Sequence, residues 1–355
     1  MRSRLGILKK LIMIKKLIKI SESHLCPDFL IRFGIRHLLR RRVAALVSQD
    51  IENNNQKKID FIEAMNSSPI ALVPELANEQ HYEVPSKFYD FCLGMHKKYS
   101  SCYWNNKTNN LNKAEEEALK LTSTHARLED GQSILELGCG WGSLTLWMAK
   151  KFPKSQITAV SNSKSQKAYI LSEAKKRKLK NIKVITQDMN KFSTIDRFDR
   201  VVSVEMIEHM RNHKKLFKSI ASWLKPKGMF FMHIFVHQSQ PYLFEVEGDD
   251  DWMSQYFFSG GMMPSKDLPL FFQDQMQIVS QWDWPGTHYE KTANAWLANL
   301  DKNKASVLPI LKEAYGDKDA EMWLQRWRIF FMACAELWGY KRGIEWHVGH
   351  YLFKK

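Results

Sequence analysis

The sequence predicts an α/β fold in which parallel strands are joined by crossover helices on both faces of one sheet. Three observations predict it: apolar runs that alternate with amphipathic stretches from residue 130 onward, a glycine-rich turn after the first run, and two late runs without crossover helices behind them.

The runs are "SILEL" (133–137), "QITAV" (156–160), "IKVIT" (182–186), "FDRVVSV" (198–204) and "MFFMHIF" (229–235). Between them lie stretches of helical period such as "SKSQKAYILSEAKKRKL" and "HKKLFKSIASWL". "KPKG" at 225–228 is a turn signal just before the fifth run. "QIVSQWDW" (277–284) and "IEWHVGHYLF" (344–353) read as an antiparallel pair at the sheet edge, with the helices of 289–340 inserted between them. That makes seven strands.

Residues 1–60 differ in style from residues 61–355. "MRSRLGILKKLIMIKKLIKI" and "DFLIRFGIRHLLRRRVAAL" place Leu and Ile at helical spacings among Lys and Arg, so both read as basic amphipathic helices. Such an arm serves either as peripheral membrane contact or as an N-terminal helical cap whose cations face water. "IENNNQKKID" at 51–60 reads as a polar break before the body.

A chain of 355 residues with 44% hydrophobic content supports a sizeable core. Mean hydropathy is −0.40, and no 18-residue apolar stretch runs uninterrupted, which predicts a soluble chain. Five widely spaced cysteines without a C-x-x-C pair fit a reduced, cytoplasmic setting. The formal charge of +15 favours anionic surfaces, but no nucleic-acid motif accompanies it, so no nucleic-acid partner is expected. Oligomeric state is not legible.

"ELGCGWG" sets Gly138, Gly140 and Gly142 between a strand and a helix, where glycines allow a tight turn and close approach of a ligand to the main chain. The third glycine follows the second by two residues, whereas the dinucleotide fingerprint wants three. The strand also carries Glu136, whose carboxylate suits a ligand with an amino group and no pyrophosphate; S-adenosylmethionine fits that description. The competing reading of Glu136 is a surface or helix-terminal charge. After the second strand, Asn162 and Gln166 stand where an acid usually grips ribose hydroxyls, and amides serve there as donor and acceptor both. Asp188 after the third strand can accept from an adenine amine, with Met189 lying on the ring.

In this order, "QHYEVPSKFYDFCLGMHKKYSSCYW", "ILELGCGWGSLTLWMAKKFP", "VSNSKSQKAYI", "SVEMIEHM", "DDDWMSQYFFSGGMMPS" and "HYEKTANAWLANLD" resemble the cyclopropane-fatty-acid synthase family of S-adenosylmethionine-dependent methyltransferases. Similarity is greatest to its coclaurine N-methyltransferase-like branch and runs from about residue 60 to the C-terminus. The resemblance implies a class I, Rossmann-like methyltransferase fold with a helical insertion (236–340) over the substrate pocket. It also implies that Tyr99 and Ser100 reach the methionine end of the methyl donor, with further contacts from Gly138, Asn162, Gln166, Asp188 and Met189.

"VSVEMIEHMRNH" follows the fourth strand at the carboxyl edge of the sheet, where open α/β folds keep their ligands. It concentrates Glu205, Glu208, His209 and His213. An alkylamine must shed a proton before it attacks a sulfonium methyl group. Glu208 and His209 suit that base role, and Glu205 suits pairing with a substrate cation; the resemblance assigns the same three positions to an N-methyltransferase site. E-x-x-E-H-x-x-x-H also contains ligand-type side chains, but it lacks the first histidine of H-x-x-E-H and methyl transfer needs no metal, so none is expected.

The rival expectation is methylenation of unsaturated acyl chains of membrane phospholipids, in which the resemblance implies a bound bicarbonate that takes the proton. The residues implied for it are Glu208, His233, Tyr289 and a cysteine of a "Y-S-C" motif. This chain reads "YSSC", with Ser101 at the cysteine position and Cys102 one place later, which opposes that reaction. Cys334 matches a position sometimes assigned to the family's active site; its apolar setting also suits a buried structural thiol. Tryptophans 282, 284, 323 and 327 are expected to wall the pocket, where they suit an aromatic amine or stay plain core. The expected reaction is methyl transfer to an amine nitrogen of a small aromatic molecule.

Overall fold

Seven strands form one sheet: β1 (Ser133–Leu137), β2 (Gln156–Ser161), β3 (Ile182–Thr186), β4 (Phe198–Val204), β5 (Leu224–His237), β6 (Gln277–Trp284) and β7 (Trp346–Lys354). Their spatial order is β3-β2-β1-β4-β5-β7-β6. The computed structural model describes residues 16–72, 84–246, 248 and 251–355. The first fifteen residues of the basic arm therefore lie outside the described residues.

β1 to β5 pair in parallel, as the alternation predicts. The two late strands are antiparallel to each other, and β7 also pairs antiparallel with β5. The pair sits at one edge of the sheet as expected, with β6 outermost and β7 between it and β5. The burial pattern explains the order. β7 is buried at every residue but its last, whereas β6 alternates with one face toward water. The "KPKG" turn is absorbed into β5 as an irregularity: pairing with β4 slips between Phe198 and Arg200, and Lys227 takes φ 64°.

Among the described residues, the helices before the sheet include α1 (Asp28–Leu46), α2 (Ile51–Ser67), α3 (Ser86–Cys92) and α4 (Leu111–His125). Residues 51–60 are thus not a break but the first half of α2, started by the Asp50 side chain accepting from the Asn53 amide. α5 (Ser143–Lys151), α6 (Lys164–Lys176) and α7 (His213–Trp223) cross between strands, and α8 (Thr287–Lys302), α9 (Lys304–Tyr315) and α10 (Ala320–Gly339) form the insertion.

α1 docks on α10 as a cap. Arg32 and Arg36 both pair with Glu336, at 3.0 and 2.8 Å, and Arg328 reaches back to Asp28 at 2.7 Å. Part of the arm's charge is therefore used in docking rather than left to face water. A large aromatic cluster joins this cap to the insertion, with Trp296, Trp327 and Phe331 fully buried in it. Separate apolar layers cover the sheet itself.

Candidate active site

At the carboxyl end of β1 the chain turns with Gly138 at φ 76° and Gly140 at φ 50°, a region that favours glycine. The Gly138 and Cys139 amides both donate to the Val160 carbonyl at 3.0 Å, which ties the turn to β2. A Cβ on Gly138 would collide with the Met206 side chain, while one on Gly140 would meet open space. Gly138 is therefore needed for packing, and Gly140 keeps room for a ligand.

Two adjoining cavities open around this turn, and both are lined by Gly138, Gly140 and Glu205. Asn162, Gln166, Asp188 and Met189 line the first. Tyr99, Ser100 and Glu136 line the second. The first cavity also takes Ala71, Ser259 and Gly260 into its wall. Sequence reasoning missed those three, because small residues in loops carry no chemical signal.

The lining fits a nucleoside bearing an amino acid. Gln166 accepts from Ser161 Oγ at 2.6 Å through Oε1, while its buried Nε2 has no protein partner and remains available as a donor. Glu136 is 3% exposed, which rules out the surface-charge reading. Thr145 Oγ1 donates to it at 2.5 Å, and burial pushes its carboxyl up to about 8. A cationic amino group is the partner that would lower that value.

Glu205 stands where the cavities meet, at φ 46° just beyond β4, with its amide donating to the His233 carbonyl at 2.9 Å. Its side chain accepts from the Ser101 amide at 2.9 Å and from Tyr289 Oη at 2.7 Å, and His233 Nε2 shares a hydrogen bond with it at 3.1 Å whose direction follows the tautomer of the ring. Burial raises its carboxyl, and neighbouring Lys98 opposes that shift. Lys98 is buried and donates to Ser100 Oγ and to the Ser101 carbonyl, so it braces the loop against Glu205. Beneath that loop, the Glu115 carboxylate accepts from the amides of Gly94, His96 and Lys98, and burial pushes it up to about 7. Lys98 and Glu115 were not singled out from sequence, since an isolated Lys or Glu usually faces solvent.

His209 lines the first cavity, and burial brings its imidazole down to about 4, so the ring is neutral at physiological pH. Glu208 does not line either cavity. One carboxylate oxygen accepts from the Phe235 amide at 2.8 Å, the other has no protein partner, and burial drives the group well above the usual carboxylate range. The Phe235 and His209 rings both pack on Phe258, so these groups sit between the cavity and the aromatic cluster. His213 lies apart from the site: it is buried at the start of α7, stacked on Phe217. Among the described residues, no three His, Cys, Asp or Glu side chains are grouped to hold a metal ion.

His233 and Tyr289 reach the site only through Glu205, and neither lines the cavities. Cys102 is buried, donating weakly to the Ser100 carbonyl, and burial raises its thiol. Cys334 packs at the margin of the aromatic cluster on α10 with its thiol likewise raised by burial. Trp284, Trp323 and Trp327 belong to that cluster and Trp282 stacks on His125, so none of the four expected to wall the pocket lines either cavity.

Residues 74–343 match the family model described as mycolic acid cyclopropane synthetase. The chain is 37% identical over 344 residues to (S)-coclaurine N-methyltransferase of Papaver somniferum, covering 96% of this chain and 98% of that protein. It is 25% identical over 282 residues to cyclopropane-fatty-acyl-phospholipid synthase of Escherichia coli (strain K12), covering 76% and 69%. The crystal structure of coclaurine N-methyltransferase bound to N-methylheliamine and SAH superposes with a TM-score of 0.93 at 33% identity, over 97% of this chain and 100% of that one.

Proposed function

The chain belongs to the mycolic acid cyclopropane synthetase family and is an S-adenosylmethionine-dependent methyltransferase; from that premise we propose that it methylates the nitrogen of a small aromatic amine. The observation that carries this reading is the buried, triply held Glu205 carboxylate at the junction of the two cavities. A carboxylate kept out of water gains from a cationic partner. An ammonium supplies one, and an acyl-chain alkene does not.

The donor, held by Glu136, Gly138, Gly140, Asn162, Gln166, Asp188 and Met189 with Tyr99 and Ser100 at its amino-acid end, supplies an electrophilic methyl group on a positively charged sulfur. Glu205 anchors the substrate ammonium. His209, neutral and lining the same cavity, takes one N–H proton, and Glu208, its neighbour in sequence behind the cavity wall, is the second group assigned to the base. The freed nitrogen lone pair forms the new N–C bond while the C–S bond breaks and sulfur keeps its electron pair. Per turnover, one ammonium is replaced by another and one proton is left in the site.

Against acyl-chain methylenation, Ser101 stands at the family's cysteine position and offers its backbone amide to Glu205, and the Cys102 thiol lines neither cavity. The test uses donor carrying a deuterated methyl group, a panel of secondary aromatic amines and anionic liposomes. Mass spectrometry should find the intact labelled methyl on nitrogen; label confined to acyl chains would replace this reading with the lipid one.

We also propose peripheral contact of the arm with anionic membrane. Phe29 and Phe33, one helical turn apart, are 67% and 59% exposed, and no described helix is long and apolar enough to cross a bilayer. Co-sedimentation with anionic but not neutral vesicles is the expected result, and no sedimentation with either would end it.

A further inference from the structure

Behind Glu205 runs a continuous line of imidazoles. His233 Nε2 meets Glu205 Oε1 at 3.1 Å, His233 Nδ1 meets His350 Nε2 at 2.8 Å, and His350 Nδ1 meets His125 Nδ1 at 2.8 Å. Strand register builds the middle of the line, because His233 on β5 and His350 on β7 are directly opposed partners. Trp282 on β6 is the next partner of His350, and its ring stacks on His125 at 4.0 Å, fixing the last residue of α4 against the sheet edge. His233 and His350 are fully buried, and His125 is only half-buried. The line thus begins at the carboxylate shared by the cavities and ends where water can reach it.

We propose that His233, His350 and His125 form a proton outlet that carries the proton released by methyl transfer from Glu205 to solvent at the far edge of the sheet. This rests on the methyl-transfer reading above, which leaves one proton in a buried site at every turnover. The proton taken by His209 passes to Glu205. Both groups line the first cavity, which joins them, and burial raises the carboxyl while lowering the imidazole. The outlet starts with each ring's proton facing outward. Glu205 gives its proton to His233 Nε2 as His233 Nδ1–H passes one to His350 Nε2. His350 Nδ1–H passes one to His125 Nδ1, and His125 Nε2–H releases one to water. One proton enters the line, one leaves, and every imidazole ends neutral with its remaining N–H facing Glu205. Turning the rings back resets the line, a motion for which the microsecond-to-second range leaves time within a turnover.

The surroundings favour passage without trapping. Trp284 packs on both His233 and His350, and Phe231 closes over His350, so apolar rings fence the line from other acceptors. The charged groups facing it are Lys98 from the loop beside Glu205 and Asp283 from β6. Burial and Lys98 both disfavour a resting imidazolium at His233 and His350. No histidine stays charged, as a relay requires.

His125 is the link to alter, because it is partly exposed and remote from the cavities. With the acceptor that wild type uses, His125→Ala should lower kcat about tenfold, a modest part of what a proton-transfer group supplies, with KM unchanged. Added imidazole should restore the variant and leave wild type unaffected, a response that a merely structural role would not give. A second measurement needs no acceptor at all. In protein labelled with 15N-histidine, nitrogen–nitrogen couplings should appear across both imidazole pairs, and Glu205→Gln should shift the His125 resonances. Unchanged kcat in His125→Ala, a loss that imidazole cannot restore, or absence of both couplings would each overturn the outlet. Couplings in a protein that methylates no amine would instead refute the substrate reading and leave the line standing.

Discussion

Tyr289 Oη donates to Glu205 Oε2 at 2.7 Å, from a residue 84 positions further along the chain. The contact joins the insertion to the sheet's carboxyl edge, so Glu205 is aimed by α8 as well as by the loop at Ser101 and by β5. Tyr289→Phe removes one of the two fixed donors, the Ser101 amide being the other, with almost no change in volume. A hydrogen bond to a charged group is worth roughly 1.5–3 kcal/mol, so kcat should fall about 10- to 100-fold. Affinity for S-adenosylhomocysteine, measured by fluorescence titration, should stay within twofold.

Gly138 and Gly140 share positive φ but should fail differently. Gly140→Ala adds a methyl group to open space and carries only the strain of its positive φ, so the melting temperature should fall modestly while KM for the donor rises at least tenfold. Gly138→Ala drives a Cβ into Met206, so its melting temperature should fall as well. Equal melting behaviour in both variants would contradict the distinction.

At Glu208 an amide can keep the contact with the Phe235 amide but cannot take a proton. Glu208→Gln should therefore fold with near-normal melting and lose about two orders of magnitude in kcat, the range of a general base. Retained kcat would leave His209 as sole base and make Glu208 structural.

Stability should fall on acidification. Eight histidines, His96, His125, His209, His213, His233, His237, His288 and His350, are lowered by burial, four of them to about 4. An unfolded chain binds protons at these rings below a pH of about 6.5 and the folded chain does not, so their contribution is full above that value and is lost as pH falls toward 4. Four buried glutamates, Glu115, Glu136, Glu205 and Glu208, and the half-buried Glu290 are raised and run the other way, losing their contribution as pH rises through values such as 7 at Glu115 and 8 at Glu136. With eight rings against five carboxyls, the melting temperature in scanning calorimetry should drop between pH 6.5 and pH 5. A flat or rising profile would contradict these burial effects.

The parallel strands and the glycine turn were legible because their signals are local: an apolar run, a positive-φ residue, a helix behind it. The antiparallel pairing of β6 and β7 was legible as well, but not β7's place beside β5, which depends on its burial on both faces. Residues 51–60 read as a break because asparagines favour turns, yet one Asp50 cap and packing of α2 outweigh that preference. The cluster after β4 was legible as chemistry, although sequence could not separate Glu205 and His209, which line the cavity, from Glu208 and His213, which do not. Least legible were Lys98 and the His125–His350–His233 line, whose partners lie 225 and 117 residues apart and meet only through strand register and the stacking of His125 on Trp282.

The most direct test of the central claim is calorimetric titration of the pure protein with S-adenosylhomocysteine. One molecule per chain should bind in the micromolar range, and Gly140→Ala should weaken that binding at least tenfold. No heat of binding from a well-folded sample would mean that the turn after β1 does not hold the methyl donor.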